Sequence, residues 1–224
     1  MDRARQKNLL YVISAAGLVG VAIALIVILS SGKNGSDVKP GSDNQVRAAM
    51  AAAGCTFVSK PVLPPTHKGQ TFHEDSPKLT SKVKWSTFPP SGGGHYPLWA
   101  VWGFYKQPVN PRQVVHNEEH GGVIMWWGPK VPAATVSKLQ DFYFESPTGM
   151  FGTPIAGLGN KIALAAWTGD PARYYRNGYY GIGKLAICPR FNEHAFTVFR
   201  DAYRGHGPEG VPLSSDTQGS GPQG

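Results

Sequence analysis

Residues Leu9 to Leu29 form a run of 21 residues whose only polar side chains are Tyr11 and Ser14. A helix apolar on every side needs either a large core around it or a lipid environment. At about 1.5 Å rise per residue, this run spans a hydrocarbon layer of about 30 Å. Arg3, Arg5 and Lys7 precede it, and cations favour the cytoplasmic side, so everything after the run is expected outside. A cleaved signal peptide is the competing reading. Its apolar region is usually about 7–15 residues with small residues at the cleavage site, whereas Ser30-Ser31-Gly32-Lys33 follows here. The expected organisation is a cytoplasmic stub (1–8), a single-pass anchor in the lipid bilayer (9–29), a linker with a short helix (30–53), an extracytoplasmic domain (54–209) and a disordered tail (210–224).

Within the linker, residues 31–42 are polar and glycine/serine-rich, as flexible tethers are. Asp43 can then cap an alanine-rich helix running to Ala53, with Gly54 ending it. Ala52-Ala53-Gly54-Cys55 has the outline of a lipoprotein cleavage box, but it lies far beyond the apolar run.

The outer segment carries much of the chain's 28 glycines and 19 prolines, which favours turns and loops over long elements. Pro132 to Glu145 repeats apolar residues at helical spacing, and Asn192 to Arg204 does so behind a capping asparagine. Val123 to Trp127, Ile162 to Trp167 and Lys184 to Ile187 read as short buried strands, with a weaker strand at Lys82 to Trp85. Leu98 to Tyr105 is apolar and aromatic, suiting a buried strand or the wall of a loop. No regular strand–helix–strand period appears. The fold class expected is α+β: after the transmembrane helix, a loop-rich domain with a small, mostly antiparallel sheet and two or three helices.

The formal charge of +8 permits attraction to anionic lipid headgroups or polyanions. Lysines and arginines are scattered singly, however, and no nucleic-acid partner is expected. An envelope protein partner is left open. Cys55 and Cys188 are the only cysteines. In an oxidising compartment they suggest one disulfide, with two buried thiols or a thiolate metal ligand as alternatives.

The chemistry concentrates in Val114–Trp127, VVHNEEHGGVIMWW. His116 and His120 stand four apart, so one helical turn puts both imidazoles on one face, with Glu119 between them. Two imidazoles with a carboxylate at hand are a common start of a transition-metal site, copper or zinc. His95, in a glycine loop that permits close backbone approach, is the third candidate ligand, and His73 the fourth. Glu119 is expected as a ligand or as the acceptor that orients an imidazole. His67, His194 and His206 suit surface or capping positions. Met125 and Met150 would offer copper a soft thioether, although Met125 sits in a strand that looks buried.

Two motifs resemble a bacterial, largely actinobacterial, membrane-anchored family, domain of unknown function 3105. The Pro-Pro-x-Ser-Gly-Pro-His-Tyr-Pro loop corresponds to Pro89–Pro97, and His-Asn-Leu-Glu-His-Gly to His116–Gly121. His73 matches a family histidine upstream, and Tyr203–Glu209 matches the ending Tyr-Arg-Gly-x-Gly-Pro-Glu. This chain has Gly92 for a usual serine, Gly94 for a usual proline and Glu118 for a usual leucine, and the two glycines leave the loop freer. The resemblance implies a shared histidine constellation over about residues 54–209, and no activity.

Three functions fit these residues. The first is an envelope metal-binding protein, for sequestration or delivery. The second is a metal-dependent hydrolase, since His116-x-x-Glu119-His120 matches the inverted zinc-peptidase motif with Glu119 as its base and Glu193 within reach as a third ligand. That motif needs a long helix, which Gly121-Gly122 cuts off. The third is a metal-free structural or interaction module built on Trp99, Trp102, Trp126 and Trp127. No Gly-x-Ser-x-Gly elbow or phosphate loop is present, so serine hydrolysis and nucleotide binding are not expected. An enzyme is the less expected outcome.

Overall fold

A computed structural model of the chain describes residues 43–64, 83–214 and 219. The expected stub, anchor and tether over residues 1–42 lie outside these, as do His67 and His73. No helix among the described residues is long and apolar enough to cross a membrane.

The sheet is built on Ile162–Thr168, whose apolar run is buried on both faces. That is the signature of a central strand. In chain order the elements are helix α1 (Asp43–Ala52), strand β1 (Thr56–Pro61), helix α2 (Pro111–Glu119), strand β2 (Val123–Trp127), helix α3 (Ala133–Glu145), strands β3 (Met150–Pro154), β4 (Ile162–Thr168) and β5 (Ile182–Cys188), and helix α4 (Glu193–Tyr203). The sheet order is β1-β5-β4-β2-β3. Three pairings are antiparallel, and β2 runs parallel to β3 because α3 makes the crossover between them. The α+β class and the small, mostly antiparallel sheet thus stand as expected, with four helices among the described residues in place of two or three.

Period-two alternation sends the sheet's side chains into two layers. Val123, Met125, Ile162, Leu164 and Ala186 face Met50, Phe142, Phe196 and Phe199 from α1, α3 and α4. Ile124, Trp126, Ala163, Ala165 and Leu185 face Val114 of α2 and the loop residues Ala100 and Val109. The helices the sequence predicts at 132–145 and 192–204 fall within a residue of those boundaries. Asn192 caps α4 as expected, accepting the Ala195 amide at 3.0 Å.

Several expectations change. The helix at Asp43, assigned to the linker, buries Val46 and Met50 completely and belongs to the core. Lys184 donates to Asp43 at 2.7 Å and Tyr203 does so at 2.8 Å, tying α1 to β5 and α4. Residues 83–85 form no strand, and Leu98–Tyr105 is a loop wall, bridged to the sheet at Phe104 and Gly152 alone. β1 and β3 were not expected. In the supposed tail, the Leu213 side chain lies over Gly149. Met125 and Met150 are buried in the core layer against α1, α3 and α4, so neither offers a thioether to a metal beside α2. Cys55 and Cys188 are joined in the expected disulfide, which removes them from any ligand set.

Candidate metal centre

Helix α2 starts with Pro111, which lacks an amide where none is needed, and the Asn110 side chain accepts the Arg112 amide. It stops abruptly. Gly121 takes φ +92°, a left-handed conformation that suits glycine, and the Gly122 amide donates to Asn117 O at 2.8 Å. This leaves His116 and Glu119 one turn apart on the same face and His120 as the C-cap. Asn117, on another face, exchanges two hydrogen bonds with the backbone of Ala100 and holds the aromatic loop against the helix.

The loop Ser91–Tyr96 is buried throughout. A Cβ at Gly92 would come within 2.8 Å of Trp167 and Val62, and one at Gly93 within 3.0 Å of Trp85. Gly92, which the sequence suggests would loosen this loop, is therefore, together with Gly93, what lets it thread between those side chains. Packing fixes it, and it delivers His95, fully buried, against α2. The ring centroids of His95 and His116 are 4.7 Å apart, and those of His116 and His120 are 4.6 Å apart.

His95 Nδ1 lies 2.7 Å from Gly93 O, and His116 Nδ1 lies 2.7 Å from Tyr96 O. A carbonyl only accepts, so both Nδ1 atoms carry protons, which leaves Nε2 of each ring to face Glu119. Metal-bound imidazoles are oriented by such bonds. His95 Nε2 is 3.0 Å and His116 Nε2 is 3.9 Å from the same atom, Glu119 Oε2. Two acceptors repel at that distance, so the arrangement calls for a proton or a metal cation among these atoms. Ligands bound tetrahedrally at about 2.0–2.1 Å lie about 3.3 Å from one another, and the two separations bracket that value. The other Glu119 oxygen accepts the Tyr174 hydroxyl, which orients the carboxylate. Burial, reinforced by the Glu119 charge, raises Tyr174 so that it stays a donor. Burial and the neighbouring His95 push His116 down to about 3, so its ring is neutral at physiological pH.

A second group overlaps the first. His116, His120 and Glu209 place ligand atoms within 4.8 Å of one another, as do His95, His116 and Glu119. Glu209 Oε2 is 3.4 Å from His120 Nε2. Two glycine segments make this possible. The Gly205 amide donates to Gly121 O at 2.8 Å, and a Cβ at Gly207 would sit 2.3 Å from both Glu119 O and Gly121 N. Backbone meets backbone there, which carries Glu209 to the helix end.

The structure thus brings His95, His116, His120 and Glu119 together, while His73 lies outside the described residues. Glu193 is exposed in the first turn of α4 and belongs to neither ligand group. His194 and His206 are exposed, as expected. Glu209 closes the Tyr203–Glu209 motif but was not expected among the candidate ligands. Nor was Tyr174 expected at the site, since it sits in a loop with no pattern to mark it. Beside the site, Glu118 is fully buried, and neither carboxylate oxygen has a hydrogen-bond partner among the described residues. Burial lifts its pKa well above the carboxylate range, and the nearby Gly92 amide, outside hydrogen-bond geometry, offsets only part of that.

Residues 77–212 match the family model described as "Protein of unknown function (DUF3105)". The chain belongs to the DUF3105 family. The matched segment contains every residue of both ligand groups and leaves out α1 and β1. No curated protein and no solved structure matches the chain. The family description names no activity, so the case for function rests on these side chains.

Proposed function

We propose that this chain is a membrane-anchored, extracytoplasmic protein that holds a transition metal, copper or zinc, on His95, His116 and Glu119 with His120 alongside. The observation that carries the reading is the convergence of His95 Nε2 and Glu119 Oε2 at 3.0 Å, with His95 Nδ1 committed to Gly93 O. A buried carboxylate is costly without a compensating charge, and a divalent cation among neutral imidazoles supplies one. Nitrogen and oxygen donors suit Zn(II) or Cu(II). The side chains of His95, His116 and Glu119 are at most 3% exposed, which favours keeping an ion over admitting a substrate to it. The apolar run at Leu9–Leu29 supports anchoring. The Cys55–Cys188 disulfide supports an oxidising compartment outside the cytoplasm.

The test is elemental analysis of the full-length chain, purified in detergent without chelator, beside a His95→Ala/His116→Ala variant. One ion per chain in the parent, with none in the variant, is the expected result. A folded, metal-free parent that stays metal-free after incubation with Zn(II) and with Cu(II) would sink the reading.

A further inference from the structure

The two ligand groups differ in depth and share one residue. His95 and Glu119 side chains are 0% exposed, His116 3%, His120 6% and Glu209 31%. Since His116 Nδ1 is committed to the Tyr96 carbonyl, only its Nε2 can face an ion. One lone pair cannot bind two ions, so the groups can be filled only in turn. We propose that Glu209 and His120 form an entry station, which captures a divalent cation at the surface and passes it across His116 to His95 and Glu119. This rests on the metal-binding reading above.

The geometry supports transfer by stepwise ligand exchange. The ligand atoms of each group lie within 4.8 Å of one another, and His116 belongs to both. An ion held by His116 therefore releases Glu209 and His120 while it gains Glu119 and His95, without ever being left uncoordinated. No bond to carbon forms or breaks, and no electron moves. Glu209 suits the outer position because its partly exposed carboxylate can shed water and recruit a cation, which the fully buried Glu119 cannot do alone. The close crossing of Gly121 and Gly207 holds this gate against the helix end.

The experiment is rapid mixing of the metal-free full-length chain in detergent with Zn(II) and a chromophoric competitor, together with equilibrium titration. Parent, Glu209→Gln and Glu119→Gln are compared, and circular dichroism checks that each is folded. A residue that serves only the path slows loading and release by the same factor. Glu209→Gln should slow both about 10-fold or more, the lower end of what charge steering of a ligand gives. It should still bind one Zn(II) at saturation, with Kd within about threefold of the parent. Glu119→Gln should weaken Kd about 10–100-fold or more, the scale on which metal sites respond to loss of a supporting group. A parent that binds one Zn(II), with loading unchanged in Glu209→Gln, overturns the entry station and leaves the metal site standing. Loss of Kd in Glu209→Gln as large as in Glu119→Gln puts the ion's resting place outside and also overturns it. Two Zn(II) per parent chain overturn the sharing of His116. A parent that takes up no Zn(II) removes the underlying site and the entry station with it.

Discussion

At the scale of single residues, Glu118 works against the stability of the fold. Its carboxyl is fully buried without a hydrogen-bond partner among the described residues, so the native state keeps it protonated. The unfolded chain is free to ionise it above its ordinary value. A group whose folded pKa is raised stabilises fully only below the unfolded pKa and loses that contribution as pH climbs toward the folded one. Glu118→Leu, which installs the residue usual at this motif position, should therefore raise stability by about 1–3 kcal/mol at pH 8 and by much less at pH 4. Urea unfolding at the two pH values measures this, and a gain independent of pH would contradict it. His116 titrates in the opposite sense. Its folded pKa is depressed to about 3, so the contribution it makes is lost as pH falls from its ordinary value toward that one.

At the scale of elements, the site depends on two turns touching α2. Gly207→Ala would drive a methyl into Glu119 O and Gly121 N, both of them backbone atoms that no rotamer change can move away. It should cost about 2 kcal/mol or more in thermal unfolding and displace Glu209 from His120. The same contact explains what the sequence could disclose. The pairing of His116 with Glu119 is a matter of helical spacing and is legible at once. So are α3 and α4, whose apolar residues recur at 3.6, and β2, the Ile162–Trp167 part of β4 and the Leu185–Cys188 end of β5, which are apolar runs. β3, MFGTP, holds a glycine and a proline, and in β1, TFVSKP, Phe57 alone is buried. Neither carries the period that marks a strand. Glu209 and Tyr174 reach α2 through contacts 55 or more residues distant in the chain, and no local pattern encodes those.

At the scale of the whole molecule, the disulfide joins the entry to β1 with the end of β5, across a separation of 133 residues. Reduction, or a Cys55→Ser/Cys188→Ser variant, should lower stability by about 2–5 kcal/mol, read as a fall in unfolding temperature in parallel with the oxidised chain. β1 pairs with β5 alone, Thr56 opposite Ile187. A chain emerging amino end first therefore displays its first strand with no strand to pair with until nearly all the remainder has been made. Long-range pairing of this kind makes maturation slow and leaves a sticky edge in the interim. The imidazoles meanwhile emerge well ahead of the β5 strand that completes the sheet, so the ordering of the finished protein has to await its closing third.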